Sequence, residues 1–312
     1  MLSIALATYN GEKYIREQLD SILMLTVTDL ELVACDDCSS DGTFRILREY
    51  AEKDDRIRVF RNETNLGFRR NFEKAVSLTS GDYVALCDQD DVWYPDHLER
   101  LLGIMGDCSL ACGNAELVDG AGRSMGVTLD RAQHFRWTEG NYLYMLLLRG
   151  CKFQGASMLL EGEFARKCVP IPDGVYAHDM WFAACACMED GLRYSTECVT
   201  KYRRHGDNET GQSHSIFILS LLGQFLCGKG IRTDAFAFHD GLKGRYGLGN
   251  GDFREISRVM GRIRQKKMTF SDVRFLWKHY YDIGGKRTRL DFLPALAVWA
   301  AWKERGKDEG QA

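Results

Sequence analysis

Asp88, Asp90 and Asp91 put three carboxylates into four residues, directly after the apolar stretch 83–86. Carboxylates this close repel one another unless something positive neutralises them. At the end of a buried strand the natural neutraliser is a hard divalent cation, Mg²⁺ or Mn²⁺, which prefers oxygen ligands. In an enzyme such a cation commonly holds a diphosphate. A second acid pair, Asp36-Asp37, closes the apolar run 30–35 and opens a turn. A carboxylate there can accept a hydrogen bond from the imide N–H of uracil or thymine. Asp and Ser at such a place also serve as helix N-caps and turn formers. Asp179 is a third candidate: it follows His178 and precedes Met180-Trp181-Phe182. Beside aromatic surface a carboxylate binds a proton more readily, which suits general-base work. His-Asp before an apolar run also suits a helix cap.

These acids need elements to place them. The apolar run 2–7 reads as a strand ending in the turn 8–11. Residues 12–25 carry apolar side chains at helical spacing. Strands are expected at 30–35, 57–60 and 83–87, and helices at 40–52, 67–78 and 95–105, with Pro95 near the first turn of the last. Four alternations of strand and helix predict an α/β domain with a largely parallel sheet. Ligands then bind beyond the carboxyl ends of the strands, where residues 8–10, 36–37 and 88–91 all fall. Beyond residue 106 the pattern loosens. Strands are expected at 110–115, 156–160 and 197–203, a helix from near His178, and helical chain from Ser215 onward. The expected division is 1–210 and a helical region 211–312.

Composition narrows the classes. The chain has 312 residues, 45% of them hydrophobic, and only four prolines. Eleven cysteines are scattered, and Cys35-Asp36-Asp37-Cys38 lacks the second CxxC of a zinc site. Reduced thiols and a cytoplasmic location are expected. Met1 leads straight into a short apolar run without a basic region, so no signal peptide is expected. No strand leads into GxGxxG and no Walker spacing occurs, which argues against nicotinamide and P-loop chemistry. Residues 254–289 hold eleven Lys/Arg against three Asp/Glu, a local +8; a chain of net −3 therefore carries −11 elsewhere. A basic segment on an acidic body suggests a polyanionic surface as partner. The apolar residues 292–302 fall well short of the roughly 20 that span a bilayer. They fit a membrane interface, with Trp299 and Trp302 at headgroup level, or a packed terminal helix with a solvated basic face.

Several motifs together resemble the family 2 inverting glycosyltransferases. They are Ala7-Thr8-Tyr9-Asn10-Gly11-Glu12, Asp36-Asp37-x-Ser39-Ser40-Asp41-Gly42-Thr43, Asn65-Leu66-Gly67 and Asp88-Gln89-Asp90-Asp91. His178-Asp179-Met180-Trp181 and Tyr202-Arg203-Arg204-His205-Gly206-x-Asn208 resemble the bacterial branch labelled rhamnosyltransferase-like. The likeness runs over roughly residues 2–210. It implies a GT-A fold, mainly parallel in its central sheet, with a helical C-terminal extension.

It also implies roles. Thr8, Tyr9 and Glu12 match positions around the base, Asp37 the imide acceptor, and Asp88 a position near the ribose. Arg69 or Arg70 would touch base or phosphate. Asp90 matches the metal-binding acid of the DxD motif, with Asp91 beside it. His205 would ligate the metal or contact the diphosphate, helped by Arg203 and Arg204. Asp179 would be the base; the family often has Glu where His178 stands. Trp93, Trp181 and Tyr202 are candidate sugar-stacking walls. The implied activity is metal-assisted inverting transfer, with Mn²⁺ or Mg²⁺, from a UDP- or dTDP-sugar to a hydroxyl of a growing glycan or glycolipid. A place on the inner face of the cell membrane fits the basic segment. No nucleic-acid partner is expected. The alternatives are a non-catalytic nucleotide-sugar-binding module and a sugar nucleotidyltransferase. The latter normally needs a Gly- and Lys-rich first loop, where this chain has Thr8-Tyr9-Asn10-Gly11-Glu12.

Overall fold

The computed structural model describes residues 1–133, 142–149, 151–206 and 233–265, with scattered positions between 267 and 279. Asn208, the expected boundary near 210 and the apolar residues 292–302 lie outside the described residues.

Four strands form the first half of a single sheet: β1 (Leu2–Thr8), β2 (Leu30–Asp36), β3 (Ile57–Arg61) and β4 (Tyr83–Cys87). They run parallel in the order β3-β2-β1-β4. All seven residues of both β1 and β2 are buried, as expected of strands covered on both faces. The period of two sorts their side chains between two apolar layers. Ile4, Leu6, Leu32 and Ala34 face one cluster, with α1 (Ile15–Leu23), α2 (Thr43–Ala51) and α4 (His97–Met105). Ala5, Ala7, Val33 and Cys35 face the other, with α3 (Phe68–Ser77), α6 (Tyr142–Arg149) and α8 (His178–Met188). The result is three layers, helix–sheet–helix.

Beyond β4 the sheet is mixed. β8 (Met158–Glu161) runs antiparallel to both β4 and β6 (Leu110–Asp119). β9 (Leu192–Arg204) is parallel to β6 and longer than the expected 197–203. β7 (Ser124–Thr128) forms a hairpin with β6. The parallel expectation therefore holds for the first four strands, and the second half departs from it. β5 (Val92–Trp93) is only two residues long and pairs antiparallel with β9, Val92 opposite Lys201. That pairing fastens the chain just after the acid cluster to the strand that leads to His205.

The helices Thr233–Tyr246 and Gly251–Arg264 put Phe238, Leu242, Phe253, Ile256, Val259, Met260 and Ile263 into the same apolar cluster as α3 and α8. Asp240, Lys243, Arg245, Arg254, Glu255, Arg258 and Arg264 are exposed, while His239 is buried between the two helices, its Nε2 2.8 Å from Ser257 Oγ. No helix of the described residues is long and apolar enough to cross a membrane.

Candidate active site

Because β1, β2 and β4 are parallel, their polar C-terminal ends meet at one edge. Hydrogen bonds then join the loops. Gln89 clamps the first loop: its Oε1 accepts from Tyr9 N at 2.8 Å and its Nε2 donates to Tyr9 O at 3.0 Å. This holds the Tyr9 backbone while leaving its side chain 46% exposed. Gly11 is required for the approach, since a Cβ there would stand 2.2 Å from Gln89 Oε1. Thr8 is buried, its Oγ1 3.4 Å from Asp36 Oδ1. Glu12 is drawn toward α2: its Oε2 accepts from Gly42 N at 2.8 Å, and its own N–H donates to Asp41 at 3.0 Å. Its carboxylate thus caps a helix.

Asp37 is buried and organises the loop before α3. It accepts from Asn62 Nδ2 (2.7 Å), Leu66 N (2.8 Å) and Gly67 N (2.8 Å). Gly67 has φ +82°, a conformation glycine adopts without penalty. Arg69 and Arg70 are turned elsewhere than expected. Arg69 Nη1 donates to the carbonyls of Ile171 and Pro172, at 3.1 and 2.9 Å. Arg70 bonds Glu73 at 2.6 Å and Asp173 at 2.5 Å. Both guanidinium groups therefore tie α3 to the lead-in of α8, and their structural task is to place that helix.

The acid loop divides its three carboxylates among different tasks. Asp91 is buried and structural: Oδ1 accepts from Arg203 N at 3.0 Å and Oδ2 from Gln154 Nε2 at 2.8 Å. Burial and the neighbouring Asp90 and Asp88 push its pKa well up. Asp88 is partly buried, and burial, then the charges of Asp90 and Asp179, push it up to about 8. Asp90 Oδ2 lies 2.7 Å from His205 Nε2, across 115 residues of sequence. His205 packs against Tyr14 at 4.7 Å between ring centroids. Arg203 fixes this corner from below. Its Nε donates to Asp90 O at 2.8 Å, its Nη2 to Glu17 at 2.6 Å, and its guanidinium lies over Tyr14. It is 1% exposed, so it shapes the acid loop instead of reaching a phosphate.

Asp179 sits in the first turn of α8. Ala177 is the N-cap and offers no side-chain bond, so Asp179 is not the cap. Its Oδ1 accepts from Met180 N at 2.6 Å. A helix N-terminus and that bond favour the charged form, yet burial is the larger effect and pushes the carboxyl up to about 6. Asp88 feels its charge, which puts the base candidate within electrostatic reach of the acid loop. Trp181 and Trp93 are 1% and 3% exposed. Trp181 Nε1 donates to Cys168 O at 2.8 Å, and Trp93 stacks on His97 at 3.9 Å. Both are core residues, which corrects their reading as sugar-stacking walls. Aromatic residues near a motif do not reveal which layer they enter.

Gln89, the clamp on Tyr9, and Gln154, the partner of Asp91, are among the side chains with no role assigned from sequence. Nothing local marks a glutamine as a loop fastener; only the sheet order brings these groups together.

The donor set at Asp90 and His205 fits a divalent cation. One carboxylate and one imidazole converge, beside Asp88 and Asp91, whose carboxyls are raised by burial first and then by the charge of Asp90. Among the described residues no group of three or more His, Cys, Asp and Glu side chains would hold a metal by itself. A ligand's diphosphate oxygens and water would then complete the shell.

The fold is that of the GT-A glycosyltransferases. The crystal structure of S. aureus TarS residues 1–349 in complex with UDP aligns with a TM-score of 0.56 over 92% of this chain and 93% of that one, at 16% identity. The same TarS segment in complex with UDP-GlcNAc aligns at 0.53 and 17% identity. Residues 3–160, about half of the chain, match Glycosyl transferase family 2, and the chain belongs to that family. TuaG of Bacillus subtilis (strain 168), described as a glycosyltransferase of teichuronic acid biosynthesis, is 38% identical over 111 residues, 36% of this chain and 44% of TuaG. The chondroitin synthase of Escherichia coli is 41% identical over 113 residues, 36% of this chain and 16% of that protein. The matched stretch is thus less than half the length of either relative.

Proposed function

We propose that this glycosyltransferase is an inverting, metal-assisted enzyme. It moves a sugar from a UDP- or dTDP-sugar to a hydroxyl of a growing cell-surface glycan. The observation that carries this reading is Asp179: a partly buried carboxylate, raised to about 6, within electrostatic reach of the acid loop. A base for an acceptor hydroxyl needs that combination of burial and proximity. In this reading Thr8, Tyr9 and Asp37 border the nucleobase, Asp88 the ribose, and Asp90 with His205 hold Mn²⁺ or Mg²⁺. When bound, the cation stabilises charge growing on the diphosphate leaving group. Asp179 takes the acceptor proton as the hydroxyl attacks the anomeric carbon in line, opposite the diphosphate, so configuration inverts.

Residues 1–210 would form the transferase unit, and 211–312 a helical region that docks on an anionic membrane at the cytoplasmic face. That location suits a lipid-linked acceptor. Asp179→Asn tests the chemistry. Removing a general base lowers turnover by about 10²–10⁴, while calorimetry should show sugar-nucleotide binding unchanged. Full turnover by this variant would leave Asp179 without its role.

A further inference from the structure

Gln89 stands between Asp88 and Asp90 in the acid loop, yet its side chain serves a different loop. Its amide closes a ring of two hydrogen bonds with the Tyr9 backbone, Oε1 accepting from Tyr9 N at 2.8 Å and Nε2 donating to Tyr9 O at 3.0 Å. A backbone N–H only donates and a carbonyl only accepts, so one group that meets both must accept and donate side by side. A primary amide does this. A carboxylate would set an oxygen against Tyr9 O, and an ammonium would have nothing to accept from Tyr9 N. A second residue is adapted to the clamp. A Cβ on Gly11 would stand 2.2 Å from Gln89 Oε1 and 2.4 Å from its Cδ. Gly11 is not among the glycines with positive φ, so its backbone does not call for glycine. The room it leaves is filled by the Gln89 amide.

The rest of the first loop is held from the opposite side. The chain turns sharply at Asn10, whose φ is +48°. Asn10 N donates to Ser39 Oγ at 2.9 Å, Asn10 Oδ1 accepts from Ser40 N at 2.8 Å, and Gly11 N donates to Thr43 Oγ1 at 2.8 Å. Those bonds tie residues 10 and 11 to the turn that follows Asp36-Asp37, and Gln89 ties Tyr9 to the acid loop. The acid loop is anchored in turn, since Arg203 Nε donates to Asp90 O at 2.8 Å. The Tyr9 ring is 46% exposed, so packing does little to place it. Its direction is set by its backbone, and Gln89 fixes that backbone.

We propose that Gln89 is a positioning residue for nucleobase recognition: lodged among the acids assigned to ribose and cation, it acts on the base through Tyr9. This rests on the glycosyltransferase reading of the site, in which Tyr9 borders the base. Its place in the sequence suggests the reverse, a residue that serves the cation. Gln89→Ala removes the clamp. Gly11→Ala displaces it with Gln89 still present, because the new Cβ takes the place of the amide.

Calorimetry with uridine, and with UDP plus Mn²⁺, separates the two, because uridine has no phosphate to meet a cation; thymidine and dTDP form the parallel pair. Q89A is expected to lose about five- to tenfold in affinity for the nucleoside, and the same factor for the nucleoside diphosphate. G11A should reproduce the loss. The double variant should lose no more than Q89A, because both changes break one clamp. Unchanged nucleoside affinity in Q89A would overturn the proposal: a lowered Tm would then make Gln89 a loop fastener only, and a lowered UDP affinity would assign it to the cation. Additive losses in the double variant would overturn it as well. Failure of the wild type to bind either pair would overturn the donor reading itself, and the role of Gln89 with it.

Discussion

At the scale of single residues, the site is governed by carboxylates whose charge the protein resists. Asp179, the proposed base, is held near 6 by burial and would act only when unprotonated. The expected kcat/KM therefore falls with unit slope as pH drops through about 6, and a pH profile flat down to about pH 5 would contradict that role. Asp88, pushed up to about 8, gives the opposite linkage for stability. The folded protein holds its proton more tightly than an unfolded chain, where Asp titrates near 3.9. Stability is therefore lost as pH rises from about 4 to about 8. The cation proposed at Asp90 and His205 would relieve the same repulsion. The rise in Tm caused by Mn²⁺ should grow between about pH 5 and about pH 8, and differential scanning fluorimetry would show it. An equal shift at both ends of that range would place the ion elsewhere.

At the scale of elements, the sequence predicts what local patterning controls. The runs 2–7, 30–35 and 83–87 are strands because each is apolar on both faces, and the acids that end them share one edge because those strands are parallel. Pairing between distant segments leaves no such trace. β5 has two residues and no hydrophobic period, yet it brings the acid loop to β9. The arginines at 69, 70 and 203 read as ligand-binding groups because a guanidinium next to a motif looks the same whether it meets a phosphate or a backbone carbonyl. Only the fold shows that they fasten loops. Glycine carries a similar ambiguity. At Gly162, which opens α7 (Gly162–Lys167), a Cβ would stand 2.2 Å from Gly81 O and 2.9 Å from Asp82 O. Both contacts are backbone, which cannot swing aside. Gly162→Ala should destabilise the protein by about 1–3 kcal/mol; urea unfolding would measure it, and an unchanged midpoint would refute the clash.

At the scale of the whole molecule, the helices at 233–246 and 251–264 close the core formed by α3 and α8 with one face and turn basic residues outward with the other. Arg254, Arg258 and Arg264 are exposed, although Arg264 is paired with Asp240. If this face docks on lipid, the intact chain should co-sediment with vesicles containing phosphatidylglycerol at low salt and release as salt rises. No binding at low salt would confine the basic segment to the solvated surface of the fold. The join between Asp90 and His205 has another consequence, one of timing. The acids are complete once residue 91 has been synthesised, but the imidazole follows 115 positions after Asp90. Contacts that distant in sequence form late in folding. A nascent chain stopped before β9 would carry the negative charges without the strand that arranges them, so the meeting of Asp90 and His205, where a cation is proposed, comes into being only when nearly all of the sheet has closed.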